Sequence, residues 1–322
     1  MHEGSRRAII AAFLANLGIA VAKLIGFVIT RSAGMLAESM HSLADTGNQA
    51  LLMFGSKRGS RKADQAHPFG YGPERYFWAF VVALVLFSMG GLFALYEGIQ
   101  KLFHPHTVES PQVAFAILGL AIVLEGLSLR TAAREARHMK PVELSWFRFI
   151  RVTKSPELPV VLLEDSGALI GLVFALLGLM LAELTDNSRW DAVGSISIGV
   201  LLVVIAMVLA VEMKGLLIGE AASDSNQHAI ETALVSTAAV RSLIHLRTMH
   251  LGPDELLVAA KLEFDHRLNI AQLAKAIDDA EHALRDAVPI AHTIYIEPDI
   301  RRQQQPDPID PAGRTGPSEQ HS

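Results

Sequence analysis

Apolar residues gather in six stretches separated by polar ones. Their edges fall near Ala8–Thr30, Ser32–Phe54, Phe77–Gln100, Val113–Leu129, Leu158–Leu181 and Ala192–Val211. A bilayer core of ~30 Å is crossed by about 20 helical residues, so each stretch predicts one transmembrane helix. The second is the least apolar, because it holds Glu38, His41, Ser42, Asp45, Asn48 and Gln49. It stays in the set because so little chain separates it from the first that the two must form a hairpin. The first stretch is too long for the apolar core of a secretory signal and lacks a small-residue cleavage site, so it reads as a retained helix.

Beyond Lys214 the pattern changes. Asn226–Val240 predicts a helix, and Ser242–Leu251 and Leu256–Phe264 predict two strands around the turn Gly252-Pro253-Asp254-Glu255. Ile270, Leu273, Ile277 and Leu284 recur at helical spacing, and His292–Glu297 predicts a last strand. The order α-β-β-α-β suggests helices on one face of a sheet. The expected fold class is therefore an α-helical membrane protein. A six-helix transmembrane bundle spans residues 1–215, a small ferredoxin-like α+β domain 216–300, and a disordered tail rich in Gln and Pro 301–322.

Composition agrees with a membrane assignment: 51% of residues are hydrophobic, 19% are charged, and mean hydropathy is +0.32. The placement of charge adds an orientation. The segment before the first helix and the loops between helices two and three and between four and five carry 14 Lys and Arg; the opposite side carries Arg31, Lys101 and Arg189. Both termini are thus expected on the cytoplasmic side. The chain has no cysteine, which excludes disulfides, thiolate metal sites and cysteine nucleophiles. Any metal must be held by His, Asp, Glu or weaker oxygen donors.

An ionisable side chain at the bilayer centre costs ~2.5–3.5 kcal/mol on insertion scales, and such residues mark function by default. His41 and Asp45 lie at i and i+4, on one face of helix two. An imidazole nitrogen and a carboxylate one turn apart can share a zinc ion at ~2.0–2.2 Å; the other reading is a pair bonded to each other. Glu38 lies a turn earlier. On helix five, Glu164 and Asp165 point about 100° apart, one expected toward the bundle and one toward its rim. Pairing helices two and five would gather two or three carboxylates and one imidazole around a point. Asn16, Lys23, Glu97 and Glu125 are read as structural, with Lys23 able to snorkel. Asn48 and Gln49 read as interhelical glue. Gly90-Gly91 and Gly194, Ser195, Ser197 and Gly199 predict close helix packing, with a dimer contact as the other reading.

Two runs are more specific. Ser32-Ala33-Gly34-Met35-Leu36-Ala37-Glu38-Ser39-Met40-His41-Ser42-Leu43-Ala44-Asp45 resembles the helix-two signature of the cation diffusion facilitator family. His67-Pro68-Phe69-Gly70-Tyr71-Gly72 with Glu74-Arg75-Tyr76-Phe77-Trp78 resembles that family's motif leading into helix three. Weaker matches follow in order at Glu97-Gly98, Asp191 and Glu297-Pro298, so the resemblance covers residues 8 to about 300. The fuller run from Glu38 to Gln49, with Leu162-Leu163-Glu164-Asp165, resembles the branch that contains zinc transporter 9. The resemblance implies a homodimer in a lipid bilayer, six helices per subunit and a metallochaperone-like cytoplasmic domain. It implies efflux of a divalent metal ion by alternating access, with protons as counter-ion and no permanently bound cofactor. By position it implies metal ligands at His41, Asp45 and Asp165. The family's zinc carriers often place His four residues before that aspartate, where this chain has Val161. The site then has three protein ligands plus water, or takes Glu164 as the fourth. One imidazole still suits Zn²⁺, whereas an oxygen-rich set suits Mn²⁺ or Fe²⁺; Co²⁺ and Ni²⁺ stay open. His245, His250, His266, His282 and His292 lack ligand spacing and read as solvated, and His67 as a packing residue. The second domain is expected to dimerise rather than sense metal.

Rival classes are a membrane enzyme and a metal-responsive scaffold or sensor that no longer transports. The chain has no His-Glu-x-x-His run and no evident nucleophile–base pair, so no enzyme is expected. No nucleic-acid partner is expected either, because orientation already accounts for the basic loops. Without a transit peptide, the expected location is a bacterial inner membrane.

Overall fold

The computed structural model describes residues 3–105, 110–140, 145–146, 148–149 and 153–301; all but the first residue of the expected disordered tail lie outside them. Six long helices come first. They are α1 (Glu3–Thr30), α2 (Ala33–Gly59), α3 (Pro73–Phe103), α4 (Pro111–Met139), α5 (Glu157–Thr185) and α6 (Arg189–Ile218). All run further than their apolar stretches, because polar turns extend them past the bilayer core. Among the described residues four spans, at Pro73–Phe103, Pro111–Arg134, Glu157–Thr185 and Arg189–Ile218, are long and apolar enough to cross a membrane; α1 adds a shorter apolar segment, Leu17–Thr30. Helix α2 falls short by composition for the reason visible in its sequence: its polar face is turned inward. It packs against α1, α3, α5 and α6, and His41, Ser42, Thr46 and Asn48 are buried. Apolar side chains of α1, such as Val21, Ile25 and Val28, stand exposed instead, as on a lipid-facing surface.

The chain divides into two compact units. One holds Met1–Ser223 and Met249–Leu257, the other Asp224–Thr248 and the residues from Val258 on. In the first unit, only Arg31 and Ser32 separate α1 from α2. Arg31 takes a positive φ of 54°, and Ser32 caps α2 by accepting the N–H of Met35. Helices α3 and α6 approach closely where Gly91 meets Gly199 and where Gly98 meets Ala192 and Ile196, and α5 and α6 where Gly178 meets Gly194; a β-carbon at Gly199 would stand 2.7 Å from the Leu95 nitrogen. These small residues therefore serve packing within one protomer. Midway along α3, Leu86–Leu92 widen into a π turn containing both Gly90 and Gly91.

Two polar clusters fasten the ends of this unit. At one end, Lys101 donates to Asp191 Oδ2 at 2.8 Å and to the Arg31 carbonyl at 3.3 Å, while Ser32 Oγ donates to Asp191 Oδ1 at 2.8 Å. Both charges are buried, and the cluster joins α2, α3 and α6. At the other end, Arg75 donates to Glu157 at 2.7 Å and to Asp254 at 3.2 Å, and Lys154 pairs with Glu220. In the loop before α3, Asp64 accepts the Tyr71 hydroxyl at 2.7 Å and the N–H groups of His67 and Ala66 at 2.8 and 3.0 Å.

The second unit contains α7 (Asp224–Ser236), α8 (Ile270–Ala287), β3 (Thr293–Pro298) and most of β1 (Val240–Gly252) and β2 (Glu255–Phe264). The strands pair in the order β1-β2-β3. Strand β2 buries every second residue, including Val258, Ala260, Leu262 and Phe264. Helix α8 starts in a reciprocal cap, Asn269 with Gln272. Its buried line is Ala276, Ala280 and Leu284 rather than the expected one through Ile270, which is 88% exposed. Ile270 is the first residue of the helix, before its face has turned inward.

Two expectations follow. Removing one member of the Lys101–Asp191 pair strands the other charge in a buried setting, a loss of roughly 3–5 kcal/mol. Asp191→Asn should therefore lower the thermal midpoint of the detergent-solubilised protein strongly, and Lys101→Met with Asp191→Leu should recover much of it; equal midpoints for wild type and the single variant would show the pair carries no load. The Tyr71 hydroxyl, and after it the His67 N–H, holds the Asp64 carboxyl below its ordinary value of 3.8. A depressed folded value gives stability that is present above the unfolded value and lost as pH falls through the folded one. The Asp64 turn should thus stay intact at neutral pH and loosen only in acid below pH 3.8. Tyr71→Phe should raise the Asp64 titration midpoint in carboxyl-carbon NMR; an unmoved midpoint would remove the hydroxyl as its cause.

Candidate metal site

Helical spacing builds the site. On α2, Ser42, Asp45 and Gln49 fall at i, i+3 and i+7; on α5, Val161, Glu164 and Asp165 fall at i, i+3 and i+4. With Ile19 of α1 and Glu125 of α4 they line a cavity of about 10 Å³, room for roughly one water-sized sphere. Three carboxylates from the two helices, Asp45, Glu164 and Asp165, thus share one space with a fourth from α4. Glu164 is 4% exposed and Asp165 half-buried. Both line the cavity despite their divergence.

His41 is fully buried on the same helix face as Asp45, behind the cavity rather than on its wall. Its Nδ1 lies 3.5 Å from Asp45 Oδ1, too far for a good hydrogen bond. Both ring nitrogens and Asp45 Oδ1 are buried without a hydrogen-bond partner. Native proteins rarely leave such atoms unmatched, and those that do need a reason. The π turn of α3 passes close by: a β-carbon at Gly90 would stand 3.9 Å from His41 Nδ1 and 3.1 Å from Leu202.

A second layer orients the carboxylates. Asn48 donates to Glu164 Oε1 at 2.6 Å and Ser128 of α4 donates to Asp165 Oδ2 at 3.0 Å. Lys23 of α1, only 1% exposed, donates to Ser42 Oγ at 2.6 Å and faces Glu125 Oε1 at 3.5 Å. Among the described residues, no three His, Asp or Glu side chains converge closely enough to clasp one ion in this conformation. Sequence reasoning brought forward His41, Asp45, Glu164 and Asp165. It gave Glu125 and Lys23 structural roles and allowed Lys23 to snorkel, whereas the ammonium bonds to Ser42 inside the bundle. Ser128 carried no signal except its place three residues after Glu125. Val161 does line the cavity, so that wall is apolar.

Of the histidines of the C-terminal region, His266, His282 and His292 are exposed and His245 partly so, but His250 is buried. It sits where β1 nears its turn, with Nδ1 3.4 Å from the Gly252 carbonyl, and burial pushes its pKa down. Its expected exposure was wrong because the strand end where it lies belongs to the first compact unit. His67 stacks on Tyr71 with ring centroids 4.2 Å apart, as a packing residue does.

Comparison with known proteins gives the arrangement a context. Residues 9–218 match the cation efflux transmembrane domain, and residues 222–299 match the cation efflux protein cytoplasmic domain. The chain is 34% identical over 247 residues to the mitochondrial proton-coupled zinc antiporter SLC30A9 of Xenopus laevis and 30% identical to that of Homo sapiens, in each case over 76% of this chain and 44% of the relative. It thus spans less than half the length of those relatives. It is 25% identical to the cation-efflux pump FieF of Pectobacterium atrosepticum, over 89% of this chain and 90% of that one. These relatives are named as antiporters and pumps, not as enzymes. With both parts matched in order along a multi-pass helical chain, the protein belongs to the cation efflux family, the cation diffusion facilitators.

Proposed function

We propose that the chain exports a divalent transition-metal ion, Zn²⁺ first, in exchange for protons, and that His41, Asp45, Asp165 and Glu164 are its metal ligands. The observation that carries this reading is the orphaned pair at the site: His41 with both nitrogens unbonded, beside an Asp45 oxygen equally unmatched and facing two further carboxylates. The name of the SLC30A9 relatives, proton-coupled zinc antiporter, points the same way.

A group must lose its proton to bind a metal. Metal arriving from the cytoplasmic side displaces protons from these side chains. When the bundle reopens outward, protons compete the metal off. One set of groups then couples both fluxes. A change of shape is part of the scheme, since the ligands must close further around the ion than they do here. The second domain supports a homodimer, with both termini on the cytoplasmic side of the membrane. The proposed division of the chain is the bundle at 1–215, the α+β domain at 216–300 and the tail at 301–322. A bacterial inner membrane is the proposed location.

A second reading concerns the metal alone. Val161 makes one wall apolar while the other donors are mostly carboxylate oxygens, a set that favours Mn²⁺, Fe²⁺ or Co²⁺ more than a two-imidazole site does.

Metal-stimulated proton flux in proteoliposomes, screened over Zn²⁺, Mn²⁺, Fe²⁺ and Co²⁺, tests both. Wild type should move protons with one preferred metal, and Asp45→Ala should lose more than about tenfold of that flux. Flux with no metal from folded, dimeric protein would favour a binding scaffold or sensor. Asn48→Ala, which frees the Glu164 carboxylate, should weaken apparent metal affinity by about 10–100-fold; unchanged affinity would exclude Glu164 from the ligand set.

A further inference from the structure

Glu125 and Lys23 stand at the metal site without a part in the transport scheme above. Glu125 lines the same cavity as Asp45, Glu164 and Asp165 and is 12% exposed. Its helix also supplies Ser128, one turn on, which already holds Asp165. One face of α4 is thus committed to the site. Lys23 approaches from α1. Its bond to Ser42 is short and well formed, at 2.6 Å. Its contact with Glu125, at 3.5 Å, is at the limit of a hydrogen bond. The ammonium is therefore anchored to α2 and holds Glu125 only loosely. A carboxylate held loosely next to three others is free to follow a cation, and a nearby fixed positive charge draws it back when the cation leaves.

On the transport reading above, we propose that Glu125 is a further metal-contacting side chain of the cavity, one that meets the ion on its way to and from Asp45 and Asp165, and that Lys23 is its positioning residue. The ammonium occupies the electrostatic place of the cation between turnovers. It keeps four carboxyl groups in one cavity from repelling one another and keeps Glu125 from retaining the ion. The two residues have opposite effects: Glu125 strengthens capture, and Lys23 speeds release.

The test is zinc uptake by full-length protein in proteoliposomes, measured against Zn²⁺ concentration. The variants are Glu125→Gln, Glu125→Asp, Lys23→Gln, Lys23→Arg and the double Lys23→Gln/Glu125→Gln, with Asp45→Ala as the reference for loss of the site. Glu125→Gln should raise KM about tenfold with a change in maximal rate below about threefold, and Glu125→Asp should recover most of the difference. Lys23→Gln should lower KM and slow the maximal rate, while Lys23→Arg stays near wild type. The double variant should behave as Glu125→Gln, because Lys23 acts through Glu125. A wild-type KM in Glu125→Gln overturns the proposal. So does a Lys23→Gln variant whose maximal rate falls with KM unmoved, the result a purely structural pair would give. Where a single variant does not fold, Zn²⁺ titration of the double variant decides: affinity about tenfold weaker supports the proposal, and wild-type affinity overturns it. Undiminished transport by Asp45→Ala would sink the site reading itself, whereas a dead Asp45→Ala beside a wild-type KM in Glu125→Gln sinks only this inference.

Discussion

The face of α2 that carries His41, Asp45, Asn48 and Gln49 cannot meet lipid. Hydrocarbon offers no partner for these groups, so the other helices must enclose them. That constraint turns the polar face of α2 inward, against α1, α3, α5 and α6, and leaves Leu43, Met53 and Phe54 on its outer side. It leaves the apolar faces of the surrounding helices as the outer surface. It also explains why α2 is polar enough to escape a hydropathy count: its inward face is polar, and only its outer face is apolar.

The enclosure is selective. Asn48 satisfies Glu164, Ser128 satisfies Asp165, and Lys23 meets Ser42 and Glu125. His41, one oxygen of Asp45 and the amide oxygen of Asn48 remain unmatched. A protein that matched these as well would be more stable and would have less reason to bind a cation.

Much of this was legible in the sequence. The helical hairpin of α1 and α2 followed from the shortness of Arg31-Ser32, and the order of the C-terminal elements followed from alternation and turn residues. His41 and Asp45 stood out because ionisable groups inside a span are rare. Other features were hidden for physical reasons. The inward turn of Lys23 depends on Ser42 and Glu125, 19 and 102 residues away in sequence, and a lone lysine in an apolar helix reads equally well as a snorkelling one. The second-layer roles of Asn48 and Ser128 depend on which helices touch. His250 and Ile270 were misjudged because exposure at the end of a strand or helix is set by what packs there, not by residue type.

The π turn of α3 carries a consequence of another kind. A π turn holds one residue more than an α turn, so the halves of α3 on either side of Leu86–Leu92 are out of phase by about 100° relative to an unbroken helix. The half that begins at Pro73 and the half that carries Lys101 therefore present faces to α6 that no straight helix of this sequence could present together. The width of this turn is thus a positional code: were it to close into α geometry with every residue kept, the composition of α3 would be unchanged, yet Lys101 would rotate away from Asp191 and Gly98 away from Ile196.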